Sequence, residues 1–300
     1  MIVMMVPQGA ALEVDRVAEV AQAAGADVIE TRAVPVPDTL FDRRTVHNLL
    51  VSGADTDRLS SRLRDLSDQY GVDIALQTRA VRCQSYRLAV FDMDSTLIDC
   101  EVIDELATKA GVGEAVAEIT AQAMRGELDF DESYRTRLAL LEGLDARAVN
   151  ELADRLPVKE GLREMTTTLK AQGLKLAIFS GGFMPIAERL QLDYGFDEVV
   201  ANTLQIASGK VTGRVVPPIV NREHKAAALQ ALATRLGIGV DACIAVGDGA
   251  NDLDMMAMAG LGVAFHAKPA VRAASPIEVT HCGLDGVCYL LGSEGEFADT

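Results

Sequence analysis

The sequence predicts an α/β protein: an open parallel sheet carrying an inserted helical cap, preceded by a small α+β domain. Three observations carry this. The chain has 300 residues, against ~100–200 for a usual domain, so more than one folding unit is expected. From Tyr86 onward, continuous apolar runs ending in Asp, Ser or Gly alternate with helical segments, the pattern of buried parallel strands. Before Tyr86 the elements run in the order βαββαβ, which closes on itself in about eighty residues.

The first domain, residues 1–85, begins with the apolar run IVMMV. LEVDRVAEVAQAAG follows with helical spacing at Val14, Val17, Val20 and Ala21, then ADVIETRAV as a strand closed by Pro35 and Pro37. HNLLVSG, the helical TDRLSSRLRDLSDQYG with Leu59, Leu63 and Leu66, and a last strand VDIALQTRAV complete the set. This order is that of a ferredoxin-like sandwich, and in topology it resembles an ACT-type regulatory domain. Fold alone does not assign such a module a ligand. Gly9, before the first helix, reads as a turn glycine.

In residues 86–300 the strands are RLAVFDMD, KLAIFSGG, ACIAVGDGAND and GLGVAFHA, giving an open, Rossmann-like sheet with functional residues at the strands' carboxyl ends. Between the first two lies the helical insertion, about residues 102–157: VIDELATKAG, EAVAEITAQAMRG, DFDESYRTRLALLEG and DARAVNELADRL. Gly111, Gly126 and Gly143 mark helix stops.

With 49% hydrophobic and 24% charged residues, wholesale disorder is excluded. Lys plus Arg number 28 against 44 Asp plus Glu, a net charge of −16. That balance opposes nonspecific attraction to phosphate backbones or anionic lipid, so neither nucleic acid nor a membrane surface is an expected partner. A small anion can still bind where local positive groups and a metal focus it. The five cysteines, Cys83, Cys100, Cys243, Cys282 and Cys288, form no C-x-x-C pair. A disulfide framework or zinc ribbon is not expected, and a reducing cytoplasm is. The opening residues carry no basic leader or small-residue cleavage site, and no run reaches ~18 apolar residues, so neither a signal peptide nor a membrane span is expected.

Four motifs carry chemistry. In FDMDST, Asp92 and Asp94 are separated by one residue in extended chain, so their carboxylates face the same side and can share a metal or a reacting group; capping of the next helix is the weaker reading of the pair alone. SGG, Ser180 to Gly182, offers a hydroxyl and backbone N–H groups at the expected start of the helix FMPIAERLQ, an anion site or a packing turn. Lys225, in NREHKAAALQAL, reads alone as a solvated helix residue. GDGANDLDMM places Asp248 and Asp252 four residues apart with Asn251 between, oxygen donors suited to Mg2+.

Together these residues, DxDST at Asp92–Thr96, Ser180 before Gly181, Lys225, and GDxxxD at Gly247–Asp252, resemble in order the four motifs of the haloacid dehalogenase superfamily, in particular its phosphoserine phosphatase branch. The resemblance covers more than two thirds of the chain. It implies Mg2+-dependent hydrolysis of O-phospho-L-serine, the last step of serine biosynthesis, through an aspartyl-phosphate. It makes Asp92 the nucleophile and Asp94 the acid and base. The metal ligands it implies are the carboxylates of Asp92 and Asp248 and the backbone carbonyl of Asp94, with Asp252 in the outer shell. It gives the phosphoryl oxygens to Ser180 and the Gly181 N–H, with Lys225 countering the charge that develops, and adds Gly182 and Asn251 to the substrate-binding residues. It matches Glu101, just after the DMDST loop, to the substrate's ammonium and, in the helical insertion, Arg137 to its carboxylate, with Met124 and Phe130 excluding water.

Arg135, Asn202 and Arg214 are weaker polar candidates. The four histidines, His47, His224, His266 and His281, show no ligand spacing, and Cys100 reads as an inert thiol beside Glu101. Two other readings stay open: a phosphatase for another small ester such as homoserine phosphate, and a signalling switch that stores the phosphoryl group. Asp94, able to hasten dephosphorylation, and the large cap favour an enzyme. A homodimer through the N-terminal domain is a further expectation.

Overall fold

The computed structural model describes residues 1–35, 44–53 and 55–292, the side chain of Met124 excepted. Pro37 therefore lies outside the described residues.

The N-terminal elements are β1 (Ile2–Val6), α1 (Val14–Ala23), β2 (Asp27–Val34), β3 (Thr45–Ser52), α2 (Thr56–Tyr70) and β4 (Asp73–Leu76). They form a four-stranded sheet in the order β2-β3-β1-β4, with both neighbours of β1 antiparallel to it. Ile2, Met4 and Val6 pack with Val17 and Ala21 of α1 and Leu59, Leu63 and Leu66 of α2. Val3 and Met5 point the other way, into the core of the second domain. Burial of both faces explains why β1 is apolar at every position rather than alternating. The expected last strand is shorter than VDIALQTRAV: it ends at Leu76, and Thr78 caps a single turn, α3 (Arg79–Arg82), through its hydroxyl. Side-chain capping there offers the backbone an alternative to the ladder.

The remaining elements are β5 (Leu88–Phe91), α4 (Val102–Ala110), α5 (Gly113–Met124), α6 (Phe130–Ala139), α7 (Arg147–Ala153), α8 (Leu162–Ala171), β6 (Lys175–Phe183) and α9 (Met184–Tyr194). After them come β7 (Glu198–Ala207), β8 (Lys210–Val216), α10 (Arg222–Leu236), β9 (Cys243–Gly247), α11 (Leu253–Met258), β10 (Leu261–Phe265), α12 (Pro269–Ala274) and β11 (Glu278–Val279). The seven strands run β11-β10-β9-β5-β6-β7-β8, parallel except for the hairpin β7-β8, which apolar patterning had not marked.

Successive strand residues serve two cores. Ala89, Phe91, Ile178 and Val246 pack with α8 and α9 residues such as Met165, Leu169 and Ile186. Leu88, Val90, Phe179 and Ala245 pack with Leu229, Leu232 and Met255 of α10 and α11. The sheet is thus covered on both sides, and its exposed chemistry is confined to the strand ends.

The two domains are joined by buried polar contacts. Asp73, at the start of β4, accepts hydrogen bonds from the backbone N–H groups of Thr280 (2.7 Å), His281 (3.1 Å) and Cys282 (2.7 Å). Arg44 and Asp285 form a buried ion pair at 2.8 Å. Replacing Asp73 by Ala strands three backbone donors and is expected to cost about 2–4 kcal/mol; thermal unfolding of D73A, with the Tm falling by several degrees, checks this.

Candidate active site

The strand ladder sets the position of the site. Phe91 pairs with Val246 of β9 and Ile178 of β6, so the three strands reach their carboxyl ends side by side. The Asp92 N–H continues this ladder to the Val246 carbonyl (2.9 Å). Two residues beyond Val246 comes Asp248, and two residues beyond Ile178 comes Ser180. Asp92, Asp94, Ser180 and Asp248 therefore line one cleft of about 360 Å³, together with Glu101, Phe130, Tyr134, Arg137, Gly181, Gly182, Asn251 and Lys268.

Lys225 is not a solvated helix residue. Asn221 caps α10, and one turn inside it Lys225 is wholly buried. Its Nζ lies 2.7 Å from Asp92 Oδ1 and 2.7 Å from Asp252 Oδ1. Burial alone would lower its pKa, but the charges of Asp252 and Asp92 outweigh that and push it upward, so the ammonium stays charged. Asp252 is occupied at both oxygens, the second accepting from the Gly249 N–H at 3.0 Å. A Cβ on Gly247 would stand 2.4 Å from Asp252 Cγ, so only glycine fits beside this carboxylate.

Asp94 keeps an opening to the cleft. Its Oδ2 accepts from the Val102 N–H at 3.4 Å, while Oδ1 is buried without a hydrogen-bond partner. Burial first, then the charges of Glu101 and Asp92, push its carboxyl well above the usual carboxylate range. Ser95, the next residue, takes a left-handed φ of 61°, which turns the chain from β5 toward α4. Asp248 is raised to about 6 by burial and by Asp92, against the pull of Lys268; Thr96 donates its hydroxyl to Asp248 Oδ1 (3.3 Å).

Asp92, Asp248 and Asp252 bring carboxylate oxygens within 4.8 Å of one another. An all-oxygen, buried set of this kind fits a hard divalent cation. Since Asp252 already serves Lys225 and Gly249, Asp92 and Asp248 are the carboxylates left for it.

The SGG segment corrects one expectation. Helix α9 starts only at Met184, with Pro185 in its first turn, so Ser180–Gly182 is an irregular strand end, where pairing with β7 slips between Phe179 and Phe183. The Gly182 N–H turns back to Ser180 Oγ (2.8 Å), leaving that hydroxyl's hydrogen to donate. A Cβ on Gly182 would come within 3.1 Å of both Asp94 Oδ2 and Ser180 Oγ. Asn202 does not reach the cleft; it donates to the Gly181 carbonyl (2.8 Å) and accepts from the Val220 N–H (2.9 Å), holding the segment from behind.

Glu101, just before the cap, and Phe130 and Arg137 within it also line the cleft. Glu101 accepts from Ser95 Oγ (3.1 Å) and faces Lys268; burial raises its pKa against the lysine's opposing charge. Arg137 lines the cleft with its Nε buried and unpartnered. Phe130, 38% exposed, stacks on Tyr134 with ring centroids 6.2 Å apart. Met124 ends α5, and its side chain lies outside the described residues. Arg135 points to solvent, paired with Asp131 at 3.3 Å, and Arg214 is exposed on β8 away from the cleft: a helix shows only one face to the cleft, and Arg137 occupies it. Cys100 is half-buried, its thiol pushed up to about 12 by burial and then Asp94, so it is held as an unreactive thiol.

Sequence reasoning missed Lys268, Tyr134 and Thr96. Lys268 follows the end of β10, a strand end like the others, and that position was the available signal. Tyr134 falls three residues before Arg137 on the same helix face.

Residues 86–260 match the family model of the haloacid dehalogenase-like hydrolases. The chain is similar to a phosphoserine phosphatase of Streptomyces coelicolor, 46% identical over 259 residues, 85% of this chain and 63% of that protein. It is also similar to a phosphoserine phosphatase of Streptococcus thermophilus, 43% identical over 209 residues, 70% of this chain and 97% of that protein. Of solved structures, a HAD family hydrolase from Salmonella enterica serovar Typhi superposes with a TM-score of 0.85 at 31% identity, covering 98% of each chain. The chain thus spans less than two thirds of the length of the Streptomyces relative.

Two measurements test the site. Lys225→Met leaves Asp92 and Asp252 without their buried counter-charge and is expected to destabilise the fold by about 3–5 kcal/mol in denaturant unfolding. The second is pH-dependent. A carboxyl whose folded pKa lies above its unfolded value costs the cation-free protein stability as pH rises through about 6, the value for Asp248. A bound divalent cation removes that cost, so the rise in Tm on adding Mg2+ to EDTA-treated protein should be small at pH 5 and grow through pH 6 to 7.5.

Proposed function

The chain belongs to the haloacid dehalogenase-like hydrolases, and from that premise we propose that it hydrolyses O-phospho-L-serine to serine and phosphate, with Mg2+ as cofactor. One observation carries this reading: a single cleft is lined both by the phosphoryl-transfer residues Asp92, Asp94, Ser180 and Asp248 and by a carboxylate and a guanidinium, Glu101 and Arg137. The pair complements the ammonium and carboxylate of an amino acid.

Asp92, ionised beside Lys225, attacks phosphorus, and the bond from phosphorus to the serine oxygen breaks as the Asp92–phosphorus bond forms. Asp94, kept protonated by its surroundings, gives its proton to the departing serine oxygen; as a carboxylate it then takes a proton from the water that attacks the acyl phosphate, freeing phosphate and Asp92. Ser180, the Gly181 N–H and Lys225 hold the phosphoryl oxygens. Mg2+, held by the carboxylates of Asp92 and Asp248 and the backbone carbonyl of Asp94, would supply neutralising charge to the phosphate dianion. Phe130 in the cap helps to keep bulk water out.

The same reading divides the chain into residues 1–85 and 86–300, with the cap at about 102–157. It places the enzyme in the cytoplasm, in keeping with five unpaired cysteines; among the described residues, no helix is long and apolar enough to cross a membrane. It also makes the N-terminal domain the site of homodimerisation, β2 being an edge strand with Ile29 exposed.

Phosphate release from O-phospho-L-serine should be fast with Mg2+, stop with EDTA, and fall at least 1,000-fold in Asp92→Asn. Arg137→Ala should lower kcat/KM for phosphoserine by about 10- to 100-fold, the worth of a hydrogen bond to a charged group, and change p-nitrophenyl phosphate hydrolysis little. Equal losses on both esters would move the substrate away from amino acids, and a stable acyl phosphate without turnover would favour the signalling switch.

A further inference from the structure

Lys268 is a cation of the cleft that neither phosphoryl transfer nor binding of the substrate's carboxylate uses. Its Nζ lies 3.4 Å from Asp248 Oδ2 and 3.7 Å from Glu101 Oε1. Those two carboxylates are the ones assigned to incoming cations, Asp248 to the metal and Glu101 to the substrate's ammonium. The root of Lys268 is fixed: its backbone N–H donates to the Asp248 carbonyl (3.1 Å), and Pro269 starts α12 directly after it. Its head is not, since the side chain is 58% exposed and reaches the cleft from the solvent side. Lys225 cannot take its place, being committed to Asp92 and Asp252.

We propose that Lys268 is a specificity-determining residue: an internal cation that competes with the divalent metal for Asp248 and with the substrate's ammonium for Glu101, and swings to solvent when they arrive. Three positive groups on two carboxylates repel one another, so the mobile one leaves. Full loading then displaces the lysine from both carboxylates, and a ligand lacking an ammonium leaves it on Glu101. The substrate half of the inference rests on the phosphoserine reading; the metal half does not.

The test uses the full chain with Lys268→Gln, which removes the charge, and Lys268→Arg, which keeps it; the exposed head makes both tolerable to the fold. Calorimetry on EDTA-treated protein should show Mg2+ binding about 2- to 5-fold tighter in Lys268→Gln and near wild type in Lys268→Arg, the size of one solvent-screened charge interaction. The KM for O-phospho-L-serine should fall by a similar factor in Lys268→Gln relative to the KM for p-nitrophenyl phosphate. Unchanged or weaker Mg2+ binding overturns the proposal. So does a KM that rises for both esters together, which would make Lys268 a plain phosphate-binding cation. If the wild type fails to turn over phosphoserine, the substrate reading falls, and the Mg2+ measurement still decides whether Lys268 competes with the metal.

Discussion

A buried ammonium between two carboxylates is the interaction on which this cleft depends. Lys225 is the one lysine among the fully buried large side chains, and a charge in that position is tolerable only because Asp92 and Asp252 each approach it to 2.7 Å. The arrangement works in both directions. Asp92 is kept from repelling an incoming anion with its full charge, and Asp252, spent on the lysine and the Gly249 N–H, leaves the cation to Asp92 and Asp248.

Around that centre the carboxyl groups are differentiated by environment. Asp94 has an unpartnered oxygen and three anionic or apolar reasons to hold a proton, whereas Asp92 has a cation against it. Two carboxylates two residues apart thereby sit in opposite environments, one beside an ammonium and one pushed toward its protonated form. Glu101, just before the cap, and Arg137 within it add a carboxylate and a guanidinium to the lining of the same cleft.

The N-terminal sheet is not an appendage on a flexible tether. Val3, Met5, Val46 and Ala75 belong to the same apolar cluster as β5 and α8, and Asp73 holds the backbone of residues 280–282. That stretch leads back toward the cleft through His266, whose Nε2 meets the Cys282 carbonyl at 2.9 Å, two residues before Lys268. The core, the sheet edge and the cleft wall thus share one packed framework.

Much of this was legible in order. The apolar runs ending in Asp, Ser and Asp marked three strands that do lie side by side, because buried parallel strands need apolar residues throughout and leave chemistry to their ends. Gly111, Gly126 and Gly143 marked turns in the helical region, each with positive φ. The hairpin β7-β8 escaped because it is half-exposed and lacks a clean period, and α9 began later than the SGG motif suggested because Phe183 still pairs with β7. Local sequence determines such signals, since strand, turn and cap preferences act within a few residues. Only tertiary structure decided that Lys225 is buried rather than solvated, that Asn202 braces the cleft from behind, and that Lys268 joins Glu101 to Asp248. Each of those depends on the charge or surface presented by a residue distant in the chain, and a one-dimensional pattern carries no record of such a partner.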